Sequence, residues 1–188
     1  HIKYGYLKGG KHYVIKIASG FPANEQLGII PGQGMMLLFN LTTGEPDAIL
    51  IDDANLTIIR TAIAGALASQ ALANKDTAEA LIVGTGIQAR YQAKYLCESM
   101  SIKKLKLWGR DHNKVQMVKK DLADLNIEIT IEDHLDHAVR NSQLIITTTS
   151  AKQAIIQSDW VMPGTHITAV GSDTPEKCEL DFNILAKA

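Results

Sequence analysis

The sequence predicts an α/β chain in which a β-rich segment leads into a parallel sheet wound with helices. Two observations carry that expectation. From Ala78 onward, short apolar runs alternate with helical stretches of about a dozen residues, the pattern of strand–helix–strand crossovers. Up to about residue 52 the apolar runs are β-branched, broken by Gly and Pro, and show no helical period. With 188 residues, 46% hydrophobic and 21% charged, the chain can bury a sizeable core without disulfide staples.

Taken in order, His1 opens directly into strand-like sequence. Tyr13–Ala18 is β-branched and apolar between Gly10 and Gly20. Phe21 to Gln33 holds several Gly and Pro breakers and reads as a loop that could lie near a ligand; it runs into Leu27 to Gly34 (LGIIPGQG). Met35–Asn40 is a continuous apolar run, as in a strand covered on both faces, and with Ala48–Ile51 it forms a hairpin over 35–51. Thr57 is a candidate cap for a helix to about Leu72, apolar on most faces and so expected to be buried nearly all round. The later strands are expected at Ala80–Val83, Leu105–Trp108, Ile127–Ile131, Gln143–Thr147 and His166–Val170. Helices are expected at Ile87–Met100 and Asn113–Leu125. The resulting division is 1–54, a connecting helix over 55–77, and 78–188.

Composition excludes several function classes. A net charge of -1, from 19 basic and 20 acidic residues, gives no footprint for nucleic acid. The longest low-charge stretch, Thr61 to Asn74, is too short and polar to span a membrane. Cys97 and Cys178 read as reduced thiols in a cytoplasmic protein, with Cys97 in the core. In Glu132–His137 the two histidines start a solvated acidic helix; no metal is expected. His166 reads as structural. The sequence starts at His1 in strand-like residues, with no Met and no signal-peptide pattern, and its last residues read as a helix, so a segment of a longer protein is expected.

The sharpest local feature is Gly84-Thr85-Gly86-Ile87-Gln88-Ala89, a G-x-G-x-x-A turn that follows an apolar strand and opens a helix. Gly84 permits the tight turn, Gly86 lets a pyrophosphate approach the backbone, and Ala89 lets helix and strand pack closely. The helix start offers N–H groups and positive dipole to phosphates. A Rossmann-type domain binding NAD(P) is therefore expected, with Gly84, Thr85, Gly86, Ile87 and Gln88 at the cofactor. At the end of the next strand stands Gly109-Arg110-Asp111. A small residue followed by a guanidinium suits a 2′-phosphate, a lean towards NADP(H), while Asp111 is close enough to serve as a ribose acid. Arg110 has the alternative of a solvated surface arginine. Thr147, Thr148 and Thr149 end a further strand and can line the cofactor, or form an ordinary Thr-rich strand end.

IASGF, LLFNLTTGEPDAIL, LTIIRTAIAGALA, VGTGIQAR and ITAVGSDTPEKCELD, in this order, resemble the ornithine cyclodeaminase/mu-crystallin family over nearly the whole chain. The resemblance implies a Rossmann domain, incomplete here at its C-terminal end, beside part of a mixed-sheet substrate and dimerisation domain. It implies a homodimer when full length. It implies that Lys16 faces the substrate, that Arg60 binds a substrate carboxylate, and that Asp173 handles the amine and acts as acid or base. A further family arginine lies upstream of this segment.

The residue types suit those roles. Arg offers a carboxylate a bidentate fork, and a charge in the apolar run around Arg60 needs a partner. The competing readings are a buried structural ion pair for Arg60, an outward solvated lysine for Lys16, and a turn-forming Asp173 before Pro175. The implied activity is NAD(P)-dependent chemistry at the α-carbon of an amino or imino acid: L-ornithine to L-proline plus ammonia, or an amino-acid or opine dehydrogenase, or a ketimine reductase. A non-catalytic NADP(H)-binding protein is the other class.

Overall fold

The computed structural model describes residues 1–29 and 32–188 and divides the chain into two compact units, His1–Arg60 and Thr61–Ala188.

The first unit is an antiparallel sheet of four strands in sequence order: β1 (Ile2–Tyr6), β2 (His12–Gly20), β3 (Gly32–Asn40) and β4 (Pro46–Ile51). The hairpin expected over 35–51 is β3–β4. The expected loop from Phe21 instead holds a 3-10 turn, Pro22–Leu27, and its last residues, Gly32 and Gln33, already belong to β3. Ile30 and Pro31 of the LGIIPGQG segment lie outside the described residues.

Register divides the side chains of this sheet between two faces. Ile2 pairs with Ile17, Ile17 with Met35 and Met35 with Ile51; Tyr4, Ile15, Leu37 and Ile49 form the next row. Directly paired residues share a face, and so do residues two apart. One face is thus apolar across all four strands, with Tyr13 stacked on Phe39 at 4.9 Å. Ile2, Tyr4, Tyr6, Ile49 and Ile51 are largely exposed on it. The strand at Met35–Asn40 is therefore not covered on both faces in this chain: a run of apolar residues marks both faces as apolar but cannot say what covers them. Lys16 lies on the opposite face, paired with Lys3 and Met36, and is only 7% exposed.

Helix α1 (Asn55–Leu72) starts before the expected cap. Asp53 and Ala54 take positive φ angles of 49° and 66°, and the Asp52 carboxylate accepts from the Leu56 N–H. The turn and cap precede Thr57, which sits inside the first turn. Nor is α1 buried all round. Only Ala62, Gly65, Ala66 and Ser69 are buried, a stripe at i, i+3, i+4 and i+7, while Leu67 and Leu72 are exposed.

The second unit is a five-stranded parallel sheet in the order β7-β6-β5-β8-β9. The strands are β5 (Glu79–Val83), β6 (Lys104–Trp108), β7 (Glu128–Ile131), β8 (Leu144–Thr147) and β9 (His166–Ala169). The helices are α2 (Ile87–Ser99), α3 (His112–Asp121) and α4 (Leu135–Arg140). These are the five expected strands, within a residue or so at their ends. Alternate strand residues feed two cores. Ala80, Ile82, Leu105, Leu107, Leu144 and Ile146 pack with Ala89, Ala93 and Leu96 of α2 and Val115 and Val118 of α3. Leu81, Val83 and Ile145 pack with Leu135, Ala138 and Val139 of α4 and with Ile156. Both faces are covered, as a parallel sheet requires, and the order reverses between β5 and β8, where doubly wound sheets bind ligands. Among the described residues no helix is long and apolar enough to cross a membrane.

Candidate functional site

At the β5–β8 switch point the glycine turn has the local geometry a pyrophosphate needs. Gly84 has a φ of 128°, and a Cβ there would collide with the Thr148 hydroxyl, so neither the conformation nor the space admits a side chain. A Cβ on Gly86 would meet nothing within 4 Å, which leaves the backbone open to approach. Gly86 is also the N-cap of α2, and no side chain caps it. Arg90 holds the turn from behind, donating to Thr85 O at 2.8 Å and Gly86 O at 3.1 Å while pairing with Asp121 at 2.7 Å. Ala89 is fully buried against the sheet, Ile87 is half exposed and Gln88 is half-buried.

This turn opens on a cavity of about 360 Å³. Gly84, Thr85 and Gly86 line it on one side, Trp108 to Asp111 and Lys114 on another, and Thr148 to Ala151 with Ile155 on a third. The residues present fit a dinucleotide: a side-chain-free approach at Gly86, a helix start, and cations at the far end. Gly109 is required by packing, because a Cβ there would meet the side chains of Thr85 and Val115. Asp111 caps α3, its Oδ1 accepting from the Asn113 and Lys114 N–H groups. Arg110 is exposed at the rim. Lys114, not anticipated from the sequence, stands four residues beyond Arg110; the spacing of one helical turn from a capped start was the signal for it.

Thr147, Thr148 and Thr149 have distinct tasks. Thr148 donates from its N–H (2.8 Å) and hydroxyl (3.2 Å) to Val83 O, tying β8 to the turn. Thr147 is fully buried and donates to Glu179 Oε2 at 2.8 Å; Thr149 donates to Glu179 Oε1 from both its N–H and its hydroxyl. Thr148 and Thr149, but not Thr147, line the cavity. Glu179 was not anticipated, because Thr147 and Thr149 lie about thirty residues away in sequence. Asp173 stands in the loop after β9, exposed, with Lys177 Nζ 2.6 Å from its Oδ1.

In the first unit Lys16 is a buried cation. Its Nζ lies 3.4 Å from Thr57 Oγ1. Burial, then the nearby Arg60 guanidinium and Lys3, lower its pKa, and Asp52 opposes them. Lys16 is thus not an outward solvated lysine. Arg60 is exposed rather than buried, and no ion pair to it is found among the described residues. The Arg60 charge acts on Lys16 unfavourably, and an anionic group near both would relieve that repulsion.

Elsewhere, His166 is half-buried against Thr168 Oγ1 at 3.0 Å, and burial lowers its pKa. Cys97 packs against the core and burial raises its thiol to about 11, the opposite of what a nucleophile needs.

Comparison with known proteins follows the same lines. The sequence profile of the ornithine cyclodeaminase/mu-crystallin family matches residues 5–188. An uncharacterized cyclodeaminase of Sinorhizobium fredii is 36% identical over 188 residues, all of this chain and 57% of that protein. The Thermococcus litoralis Delta(1)-pyrroline-2-carboxylate reductase, solved with NADH and L-proline, aligns with a TM-score of 0.83 at 26% identity, over all of this chain and 62% of its own. An archaeal alanine dehydrogenase dimer with bound NAD aligns at 0.87 and 28% identity, over all of this chain and 61% of its own. The chain spans about half to three fifths of the length of the curated relatives it matches. With a match over nearly its full length and the Rossmann sheet those structures share, the chain belongs to the ornithine cyclodeaminase/mu-crystallin family.

Proposed function

We propose that the full-length protein is an NAD(P)-dependent enzyme acting at the α-carbon of an amino or imino acid, in the manner of ornithine cyclodeaminase. The observation that carries this is the open phosphate turn at Gly84–Gly86, in the same chain as the paired cations Lys16 and Arg60. A bound nicotinamide supplies the hydride acceptor or donor. The chain's residues do the rest. Arg60, with Lys16 beside it, binds the substrate carboxylate and fixes the α-carbon. Asp173 holds or takes the proton at the substrate nitrogen, and Lys177 Nζ, donating to its Oδ1, holds its carboxyl in place. Ile87, Gln88, Thr148 and Thr149 frame the dinucleotide, with Thr147 behind them.

A second reading is net redox chemistry, as an amino-acid dehydrogenase or ketimine reductase. It is favoured by Arg110 and Lys114 at the cavity rim and by the use of Asp111 as a helix cap, an arrangement suited to a 2′-phosphate and hence to NADP(H). Cyclodeamination only recycles its cofactor, whereas reductions draw on the NADPH pool.

The apolar face of the first sheet supports a homodimer, since monomers rarely leave so much contiguous apolar surface open. Two free thiols suit a cytoplasmic location.

The test offers full-length protein ornithine, other amino acids and cyclic imines with each of the four nicotinamide forms. Ammonia release without a lasting change at 340 nm identifies cyclodeamination. A stoichiometric change at 340 nm identifies net oxidation or reduction. Tight dinucleotide binding with neither signal across the panel sinks the enzyme reading in favour of a binding protein.

A further inference from the structure

Glu179 is a fully buried carboxylate that meets no cation among the described residues. Four neutral donors satisfy it instead. Oε1 accepts from the Thr149 N–H (2.5 Å) and hydroxyl (2.8 Å), and Oε2 from the Thr147 hydroxyl (2.8 Å) and the Gly171 N–H (2.8 Å). Its backbone is equally committed. The Glu179 N–H donates to Ser172 Oγ at 3.1 Å, and its carbonyl accepts from Ile155 and Ile156 at 2.9 and 3.1 Å. Gly171 is bare because a Cβ there would collide with Thr149 O and the Glu179 carboxyl.

The nine residues from Gly171 to Glu179 therefore form a loop closed on itself by its last residue. The same side chain fastens that loop to the end of β8. The loop carries Asp173, and the end of β8 lines the cavity through Thr148 and Thr149. A buried anion with no partner of opposite charge is costly and persists only where its donors are fixed in place. The simpler roles, an ion pair or an apolar filler, do not need one.

We propose that Glu179 is a positioning residue that locks the Asp173 loop to the dinucleotide side of the sheet, so that cofactor and acid–base group keep one fixed spacing. This rests on the reading of the cavity as a dinucleotide site and of Asp173 as the acid–base group. Glutamine cannot substitute. Its amide NH₂ would face either the Thr149 or the Gly171 N–H; a threonine hydroxyl can turn to accept, but a backbone N–H cannot.

The experiment compares full-length wild type, E179Q, D173N and the double variant. The first readout is amide hydrogen exchange with and without saturating NADPH or NADH. In wild type, dinucleotide slows exchange in peptides covering residues 84–90 and also 171–178. In E179Q the first protection persists and the second is lost. Equal protection of 171–178 in E179Q, or none there in wild type, overturns the proposal. Absence of protection at 84–90 in wild type overturns the dinucleotide reading beneath it.

The second readout is kcat. E179Q is expected to lose tenfold or more, and the double variant to match D173N, because both act through one group. Effects that multiply overturn the proposal alone, whereas an unaffected D173N overturns the role of Asp173 as well. Should E179Q not fold, T147V, which removes one donor of the four, shows the same losses in smaller degree; unchanged coupling in T147V then counts against the proposal.

Discussion

Lys16 and Lys3 stand directly opposite each other across β1 and β2, and Lys16 is the buried member of the pair. A strand position that packs a charged amine against a like charge is held against the interest of stability. The pKa of Lys16 is lowered first by its burial, then by Arg60 and Lys3, and each of these is a cost of keeping the amine charged there. Below its folded pKa the amine is charged in both folded and unfolded chains and the penalty is complete. As pH rises through that pKa towards the unfolded value of 10.5 the penalty shrinks, and above it none is left. K16M is therefore expected to stabilise the protein at pH 7 by about 1 kcal/mol while abolishing turnover. The gain should fade in urea titrations run at increasing pH. A destabilised K16M at pH 7 contradicts this account.

Gly65 sits on the buried stripe of α1, and a methyl there would collide with the side-chain amide of Gln92 on α2. That amide donates to Thr61 O at 3.1 Å and to Gln88 Oε1 at 3.3 Å, so it is not at liberty to swing away. Helix propensity alone makes G65A stabilising by about 1 kcal/mol. The packing argument reverses the sign, to a loss of about 1–3 kcal/mol. Chemical denaturation of G65A, Q92A and the double variant decides between them, the double recovering part of the loss.

His166 is neutral in the fold over a wider range than in the unfolded chain, because burial lowers its pKa. Its stabilising contribution is complete above the unfolded value of 6.5 and is lost as pH falls below it, since the unfolded chain then binds the extra proton. H166Q should flatten the fall in urea midpoint between pH 7.5 and pH 5. A slope unchanged from wild type would assign that fall to other groups.

Arg110 and Lys114 at the cavity rim set a preference between the two dinucleotides if a 2′-phosphate lies there. R110A is expected to weaken NADPH about tenfold to a hundredfold, from the loss of a charge-assisted hydrogen bond, and K114A somewhat less. NADH binding should change less than about threefold in both. Fluorescence titration of full-length protein measures each, and equal losses for the two dinucleotides remove the case for NADP(H).

The parallel sheet and its turn were legible because they are local. Alternation marks Leu81, Val83 and Ile145 for one face and Ile82 and Ile146 for the other, and Gly84 to Ala89 sit within six residues. What the sequence hid is relational. The helical period of α1 shows which residues are apolar, not that only Ala62, Gly65, Ala66 and Ser69 are buried. Asp52 and Thr57 are both good caps, and only the backbone turn at Asp53 and Ala54 selects the first. Glu179, between Cys178 and Leu180, carries no local mark of its bonds to Thr147, Thr149 and Gly171.

The bare start of α2 at Gly86 has a consequence for the protein's life in the cell. A sequence built for durability would cap that helix with Ser or Asp and gain roughly a few tenths of a kcal/mol over glycine. Glycine forgoes that gain and leaves the end of the helix to an anion. A dinucleotide at a hundred times its Kd returns about 2.7 kcal/mol, more than the cap would have given. If the cavity takes a dinucleotide as proposed, resistance to heat and proteolysis is lent by the metabolite pool, and loss of dinucleotide leaves the protein easier to unfold.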